Sequence, residues 1–211
     1  MFYCYPNSFT DEVLEVMASD PRFCRYLDMP FQHISDPVLK KMNRKITRKE
    51  IEATMARVRR KLSDVAWRTT FIVGFPTETD QDFEELVDFV SEGHFQHLGI
   101  FLYSDEDNIR SSKFGDPIPL SLKEERKNRL MEIQQKISRE HHQKMVGSLQ
   151  QVLVGGFSSE TDLLLEGRNQ YQGPEVDGVV YINEGNATSA GFHQVEITEA
   201  HEYDLVGKIL N

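Results

Sequence analysis

Cysteine is scarce in this chain of 211 residues, which contains only Cys4 and Cys24. Two thiols cannot form a disulfide framework, and they cannot supply the full set of thiolates that a structural zinc site or an iron–sulfur cluster requires. The sequence therefore predicts no metal site within this chain, and both thiols are expected to lie buried in the core. The lack of a disulfide framework also favours a cytoplasmic location.

The sequence also lacks long apolar runs and has fewer basic than acidic residues. No segment approaches the roughly 20 apolar residues of a membrane helix, and no basic segment followed by an apolar one suggests a secretory signal. We therefore expect no membrane partner. The 24 basic residues are outnumbered by 34 acidic ones, which gives a net charge of −10. A general nucleic-acid binder needs a basic face, so nucleic acid is the less favoured kind of partner.

Hydrophobic residues make up 39% of the chain, which is enough for a folded core, but the charge is spread unevenly. Residues 146–211 carry ten acidic and two basic side chains, a net charge of −8, which leaves −2 for residues 1–145. The pattern of the sequence changes at the same place, from strands alternating with helices to short β-like runs separated by glycine. We therefore expect two domains, 1–145 and 146–211.

The first domain is predicted to alternate strands and helices. Capping residues such as Thr47 and Thr79 mark helix starts between the apolar runs. Strands separated by helices indicate parallel βαβ units, and so a barrel or an open α/β sheet. Four runs read as strands: Met1–Tyr5, Tyr26–Phe31, Arg68–Val73 and His97–Tyr103.

The second domain contains short runs rich in Val, Ile and Leu, with glycine-containing turns between them. Strands at this spacing predict a small antiparallel β-barrel. The four runs are Gln150–Val154, Asp162–Leu165, Val179–Ile182 and Val195–Ala200.

Candidate binding residues follow the predicted strands of the first domain, because ligands of parallel α/β folds bind where the carboxyl ends of the strands meet. A glycine followed by Phe and Pro lets a flat ligand such as a purine approach the backbone. Each residue also has a simpler interpretation, with His33 as a structural hydrogen-bonding side chain and residues 74–76 as an ordinary turn. No catalytic residue and no metal ligand is predicted. The candidates are Gln32, His33, Gly74, Phe75, Glu78 and Tyr103.

Three motifs occur in order along the first domain. Residues 26–35 read YLDMPFQHIS and are followed by Leu39-x-x-Met42-x-Arg44, residues 71–79 read FIVGFPTET, and residues 101–104 read FLYS. Together they resemble the methylthiotransferase family of radical S-adenosylmethionine enzymes, with Thr77 where that family more often has Gly. Residues 146–211 are similar to a TRAM domain.

The resemblance implies a partial parallel (βα) radical-SAM barrel followed by a small TRAM-like antiparallel β-barrel. It implies a transferase that uses S-adenosylmethionine and, in the full-length enzyme, two 4Fe-4S clusters. In such an enzyme one cluster would supply the electron that cleaves the cofactor to a hydrogen-abstracting radical, and the second would hold the sulfur to be delivered. Gly74 and Phe75 would contact the adenosine, with His33 beside them in the cofactor-binding set. Gln32 and Glu78 would offer polar groups or order the loop, and Tyr103 would line the barrel mouth.

Two features depart from that family. The CxxxCxxC cluster motif and the amino-terminal domain are absent, so the chain is expected to be the carboxyl-terminal part of a longer enzyme and to be inactive alone. Residues 108–110, Asn-Ile-Arg, stand where the family usually has Gly-Thr.

The family has one branch that methylthiolates the β-carbon of an aspartate in small ribosomal subunit protein twelve, and another that modifies a tRNA adenosine beside the anticodon. A domain with a net charge of −8 would repel RNA and attract a basic ribosomal protein. Residues 173–180 and 203–207 also resemble the first branch, which we therefore predict. The alternatives are the tRNA branch, a non-catalytic binding module, and an acidic surface that serves only solubility.

Overall fold

The computed structural model describes residues 1–6, 9–106, 111–187 and 190–210. The chain divides into two compact units, the first comprising Met1–Phe23 and Leu27–Gln134 and the second Cys24–Tyr26 and Gln135–Asn211. In chain order the elements are α1 (Asp11–Ser19), β1 (Tyr26–Asp28), α2 (Asp36–Lys41), α3 (Arg48–Lys61), β2 (Ala66–Val73), α4 (Asp80–Ser91), β3 (His97–Leu102), α5 (Leu120–Gln143), β4 (Leu149–Phe157), β5 (Leu165–Arg168), β6 (Val180–Glu184), β7 (Gly191–Ala200) and β8 (Leu205–Ile209).

The first unit is built on a three-stranded sheet in the order β1-β2-β3. Strands β2 and β3 are parallel, in a register that begins at Arg68 opposite His97, and a parallel bridge joins Gln32 to Phe71 just beyond β1. The strands therefore end at one edge of the sheet, as the βαβ pattern predicts. Its core is strongly aromatic, with these side chains fully buried: Trp67, Phe31, Phe71, Phe89 and Phe95.

The predicted helix starts are confirmed at α3 and α4. At α3 the Thr47 hydroxyl accepts a hydrogen bond from the backbone N–H of Glu50, and the Glu50 carboxylate accepts one from the backbone N–H of Thr47. Thr79 and Asp82 form the same reciprocal cap at α4. Each cap satisfies backbone donors that have no partner within the helix.

The expected first strand, Met1–Tyr5, is not formed. Tyr3 has a φ of +54° and is 82% exposed, which interrupts the extended backbone and turns the ring out of the core. Two hydrogen bonds still tie this segment to β1, from Cys4 N–H to the Asp28 carbonyl and from Asp28 N–H to the Met1 carbonyl. Cys4 is buried as expected, but Cys24 is exposed, so the prediction of a second core thiol was wrong.

The second unit contains a closed five-stranded barrel in the order β4-β5-β6-β8-β7. Neighbouring strands pair antiparallel, with the exception of the parallel pair β6 and β8. Alternate residues along each strand point inward, and the interior is filled by Val152, Val154, Val180, Ile182, Val195, Ile197, Leu205 and Ile209.

Strand β8 was not among the predicted runs, because the glycine at its centre breaks the apolar pattern. Gly207 is nevertheless required there. A Cβ atom at this position would lie 2.5 Å from Cγ1 of Val195 and 2.7 Å from the carbonyl oxygen of Glu196. Glycine thus allows β7 and β8 to approach each other closely enough to close the barrel. Among the residues described, no helix has the length and apolar character needed to cross a membrane.

We expect Gly207→Ala to destabilise the barrel by about 1–3 kcal/mol, because the added methyl group overpacks the β7–β8 contact. Calorimetric unfolding of the whole chain measures the effect. Gly155→Ala is the matched control in β4, since the nearest atom to its added Cβ is 3.9 Å away. Equal melting temperatures for the two variants would contradict this account of Gly207.

Candidate functional site

A cavity of about 420 Å³ opens at the carboxyl edge of the sheet in the first unit. It lies where β2 and β3 end, which is where the sequence placed the candidate ligand site. One part of its wall is apolar and aromatic, formed by Met42, Ile72, Phe75 and Leu102, with Gln32 and Tyr103 beside them. Charged and polar residues form the rest of the lining: Lys41, Asn43, Arg44, Ser104, Glu106 and Ser111.

Gln32 holds an unusual backbone conformation at this cavity, with a φ of +74°. Its N–H donates to the Thr70 carbonyl, and its own carbonyl accepts from the N–H of Ile72, so the neighbouring strand holds it in place. Non-glycine residues adopt positive φ rarely and at some energetic cost, commonly at functional sites. The β1 connection is therefore fixed in the conformation that brings Gln32 to the cavity.

Tyr103 lies just after β3 and packs its ring edge-on against Phe75, with the ring centroids 5.2 Å apart. The residue is only 7% exposed, yet its hydroxyl has no hydrogen-bond partner within the described structure. A buried phenol without a partner is costly. Tyr103 is among the residues that line the cavity, which makes this hydroxyl a candidate donor to a bound ligand.

Glu78 organises the loop behind the cavity wall. One carboxylate oxygen, Oε2, accepts hydrogen bonds from the backbone N–H groups of Gly74 at 2.9 Å and Phe75 at 3.4 Å. The other oxygen accepts from Nη1 of Arg126 on α5 at 2.8 Å. Both side chains are almost fully buried. Glu78 therefore positions Phe75 rather than lining the cavity itself.

His33 belongs to the same buried network. Its Nδ1 accepts a hydrogen bond from the backbone N–H of Ser35 at 3.0 Å, so a neutral ring carries its proton on Nε2. That nitrogen lies 3.6 Å from Oε2 of Glu78, too far for a hydrogen bond but close enough for attraction. The arrangement joins the loop after β1 to the loop after β2.

Asp82, in the first turn of α4, completes the network by accepting a hydrogen bond from the Ser35 hydroxyl. Burial on its own raises the pKa of Asp82, but the hydrogen bonds from Ser35 and Thr79 outweigh it, and the pKa lies below its ordinary value. At pH values above its unfolded-state pKa, the charged Asp82 side chain therefore stabilises the folded state. That contribution is lost as the pH falls through its folded-state pKa.

Gly74 has a φ of +73°, and a Cβ atom there would lie 2.3 Å from Cγ of Lys123. The face that the missing side chain leaves open is thus filled by the stem of Lys123. The ammonium of Lys123 donates to the main-chain carbonyl of Tyr103 at 2.8 Å and also binds Asp116. Gly74 is needed for this close approach.

Sequence reasoning missed Lys123 and Arg126, although a signal was available. Both occupy the stripe of α5 that continues through Leu130 and Gln134, and all four side chains are buried. Basic residues at core-facing positions of a helix indicate buried partners, because a buried charge without one is very costly.

The structure divides the six predicted residues into two sets. Three line the cavity: Gln32, Phe75 and Tyr103. The other three lie in the supporting loop network: His33, Gly74 and Glu78. The departure noted at residues 108–110 lies outside the described residues.

The cavity suits one of the two expected cofactors. An aromatic and aliphatic wall, the Gln32 side chain and the unpartnered Tyr103 hydroxyl fit a flat ring with a polar edge, such as the adenosine of S-adenosylmethionine. An iron–sulfur cluster does not fit these residues. In the described ranges no group of three or more His, Cys, Asp or Glu side chains could hold a metal ion.

Comparison with known proteins identifies two domains along the chain. Residues 2–90 match the radical SAM superfamily and residues 146–210 match the TRAM domain. The chain is 47% identical over 210 residues to ribosomal protein uS12 methylthiotransferase RimO of Bdellovibrio bacteriovorus, and 42% identical over 211 residues to that of Geobacter sulfurreducens. The chain carries a radical SAM domain and a TRAM domain. These matches confirm the resemblance identified from the motifs, to a family that uses S-adenosylmethionine and 4Fe-4S clusters.

The alignments cover all of this chain but only 46% and 47% of the two relatives, so the chain spans about half the length of the curated relatives it matches. Among solved structures, the radical SAM enzyme coproporphyrinogen III oxidase (HemN) of Escherichia coli matches with a TM-score of 0.53 at 18% identity. The match covers 64% of this chain and 31% of the HemN chain. That likeness concerns the fold, and it confirms the predicted radical-SAM architecture.

The substitution Glu78→Gln removes a buried carboxylate. It should destabilise the first unit by roughly 3 kcal/mol, because Arg126 and two backbone donors lose a charged acceptor. Fluorescence of Trp67, the one tryptophan of the chain, reports unfolding of this core. Glu84→Gln is the control, since Glu84 pairs with Arg129 on the surface and its loss should change little. Equal stability losses would rule out a special role for Glu78.

Proposed function

We propose that this chain is the carboxyl-terminal part of a radical-SAM methylthiotransferase that modifies the β-carbon of an aspartate in ribosomal protein uS12. The observation that carries the proposal is similarity along the entire chain to proteins named uS12 methylthiotransferase RimO. In this proposal residues 1–145 belong to the (βα) barrel and residues 146–211 form the TRAM-like domain. Such a substrate places the enzyme in the cytoplasm.

The cavity would hold S-adenosylmethionine, which supplies the group that removes a hydrogen atom from the aspartate. Phe75 and Tyr103 provide an aromatic corner for the adenine ring, and Gln32 offers an amide to its polar edge. Glu78, Gly74 and His33 act indirectly, because they fix the loop that carries Phe75. None of these residues performs the chemistry, so their effect is on cofactor affinity and orientation.

The second domain would bind the ribosomal protein. Its exposed surface carries acidic side chains without a matching number of bases, which attracts a basic protein and repels a phosphate backbone. Several large apolar side chains are also exposed on the barrel, among them Phe157 and Phe192. The exposed acids are Glu160, Asp162, Glu175, Glu184 and Glu199.

Charge reversal in this domain should weaken binding of uS12. We expect the double variant Glu184→Lys/Glu199→Lys to bind purified uS12 roughly tenfold more weakly at low salt, and the difference to shrink at high salt. The control is Glu132→Lys, an exposed acid on α5. Binding of unmodified tRNA is measured under the same conditions as binding of uS12. Preference of the parent chain for tRNA at both salt concentrations would instead support the tRNA branch.

We also expect the chain alone to be unable to cleave S-adenosylmethionine, because two cysteines cannot anchor a 4Fe-4S cluster. After incubation with iron and sulfide, then dithionite and S-adenosylmethionine, 5′-deoxyadenosine should stay at the level of a protein-free blank. Its formation above that level would show that the chain holds a competent cluster, and the expectation of inactivity would be wrong.

A further inference from the structure

Residues 111–119, the strap, lead into α5. Apart from one 3₁₀ turn at Ser112–Phe114, the strap is neither helix nor strand. In the described part of the chain, no backbone hydrogen bond joins residues 111–118 to a strand or to another helix. Ser111 lines the cavity, so the strap begins at the cavity wall. Side-chain contacts therefore decide where the strap lies.

The first of these contacts is made by the ring of Phe114. The ring packs edge-on against Phe75, with the two ring centroids 6.1 Å apart. It also packs against the small buried cluster of Val38, Phe75 and Tyr103, in which Val38 is fully buried. The Tyr103 hydroxyl is shielded from water in this arrangement, and it has no hydrogen-bond partner among the described residues. A ligand can reach that hydroxyl only if part of this cover moves aside.

The second contact is an ion pair between Asp116 of the strap and Lys123 of α5. The Lys123 side chain is only 3% exposed, whereas that of Asp116 is 35% exposed, so the pair lies where the core meets solvent. The Lys123 ammonium also donates to the Tyr103 carbonyl at 2.8 Å. If Asp116 moved away, that carbonyl and entering water would still solvate the ammonium. The ion pair thus favours the closed strap without making closure permanent.

Gly115 separates the two contacts. It has a φ of +64°, and no atom lies within 4 Å of the position that a Cβ would occupy. Glycine adopts left-handed and right-handed conformations with similar ease, so this position can act as a hinge. We propose that the strap is a lid over the corner between Phe75 and Tyr103, and that the ion pair of Asp116 with Lys123 latches it shut. Neither latch residue lines the cavity, so both are positioning residues.

Alkylation of a thiol placed under the strap tests the proposal on the full chain. Val38→Cys puts a side chain of similar volume in the buried cluster, and Cys24→Ser removes the exposed native thiol. A buried thiol reacts only when its cover opens, so the rate of alkylation by iodoacetamide follows the population of the open form. Adding Asp116→Asn should raise that rate about threefold to tenfold, and high salt should then change it less. Phe114→Ala, which removes the cover, should also raise it.

Two references make the result specific to the strap. Asp80→Asn is the matched control, because Asp80 is an exposed carboxylate paired with Arg126, another buried cation of α5, and it should leave the rate unchanged. Cys4, which is buried elsewhere in the first unit, reports unfolding of that unit as a whole. The proposal is overturned if Asp116→Asn labels no faster than Asp80→Asn, or if the thiols at positions 38 and 4 react faster together. No ligand is used, so failure of S-adenosylmethionine to bind would leave the result standing.

Discussion

The candidate site depends on one buried carboxylate. Glu78 accepts hydrogen bonds from the backbone of Gly74 and Phe75 on one oxygen and from Arg126 on the other. A carboxylate can remain charged in an apolar core only when such donors surround it. The same contacts hold the loop after β2 in the conformation that sets Phe75 against Tyr103. The hydrogen bonds that stabilise the buried carboxylate therefore also determine the shape of the cavity.

Helix α5 makes that arrangement possible by bringing two basic side chains into the core. Arg126 neutralises Glu78, while Lys123 fills the space above Gly74 and binds the main chain at Tyr103. The two cations thus tie the ends of two neighbouring strands to a single helix. The loops that follow strands are generally more mobile than the strands themselves, and a ligand site built on them needs this kind of support.

Local signals in the sequence were sufficient for the starts of α3 and α4 and for the sheet edge at which the cavity opens. The capping pair Thr47 and Glu50 is three residues apart, and the strand ends follow from hydrophobic periodicity. Contacts between distant positions could not be read in this way. Glu78 and Arg126 are 48 residues apart, and Gly207 matters only because β7 lies against it. Tyr3 broke an apolar run through a backbone angle that composition does not reveal.

The parallel pairing of β6 with β8 has a consequence for how the barrel forms during synthesis. Strand β8 lies between β6 and β7, so the ring has two unpaired edges until this strand has left the ribosome. Unpaired edges and the apolar interior are then open to other nascent chains. The barrel can therefore close only once β8 has emerged, and molecular chaperones have most to protect in the interval before that.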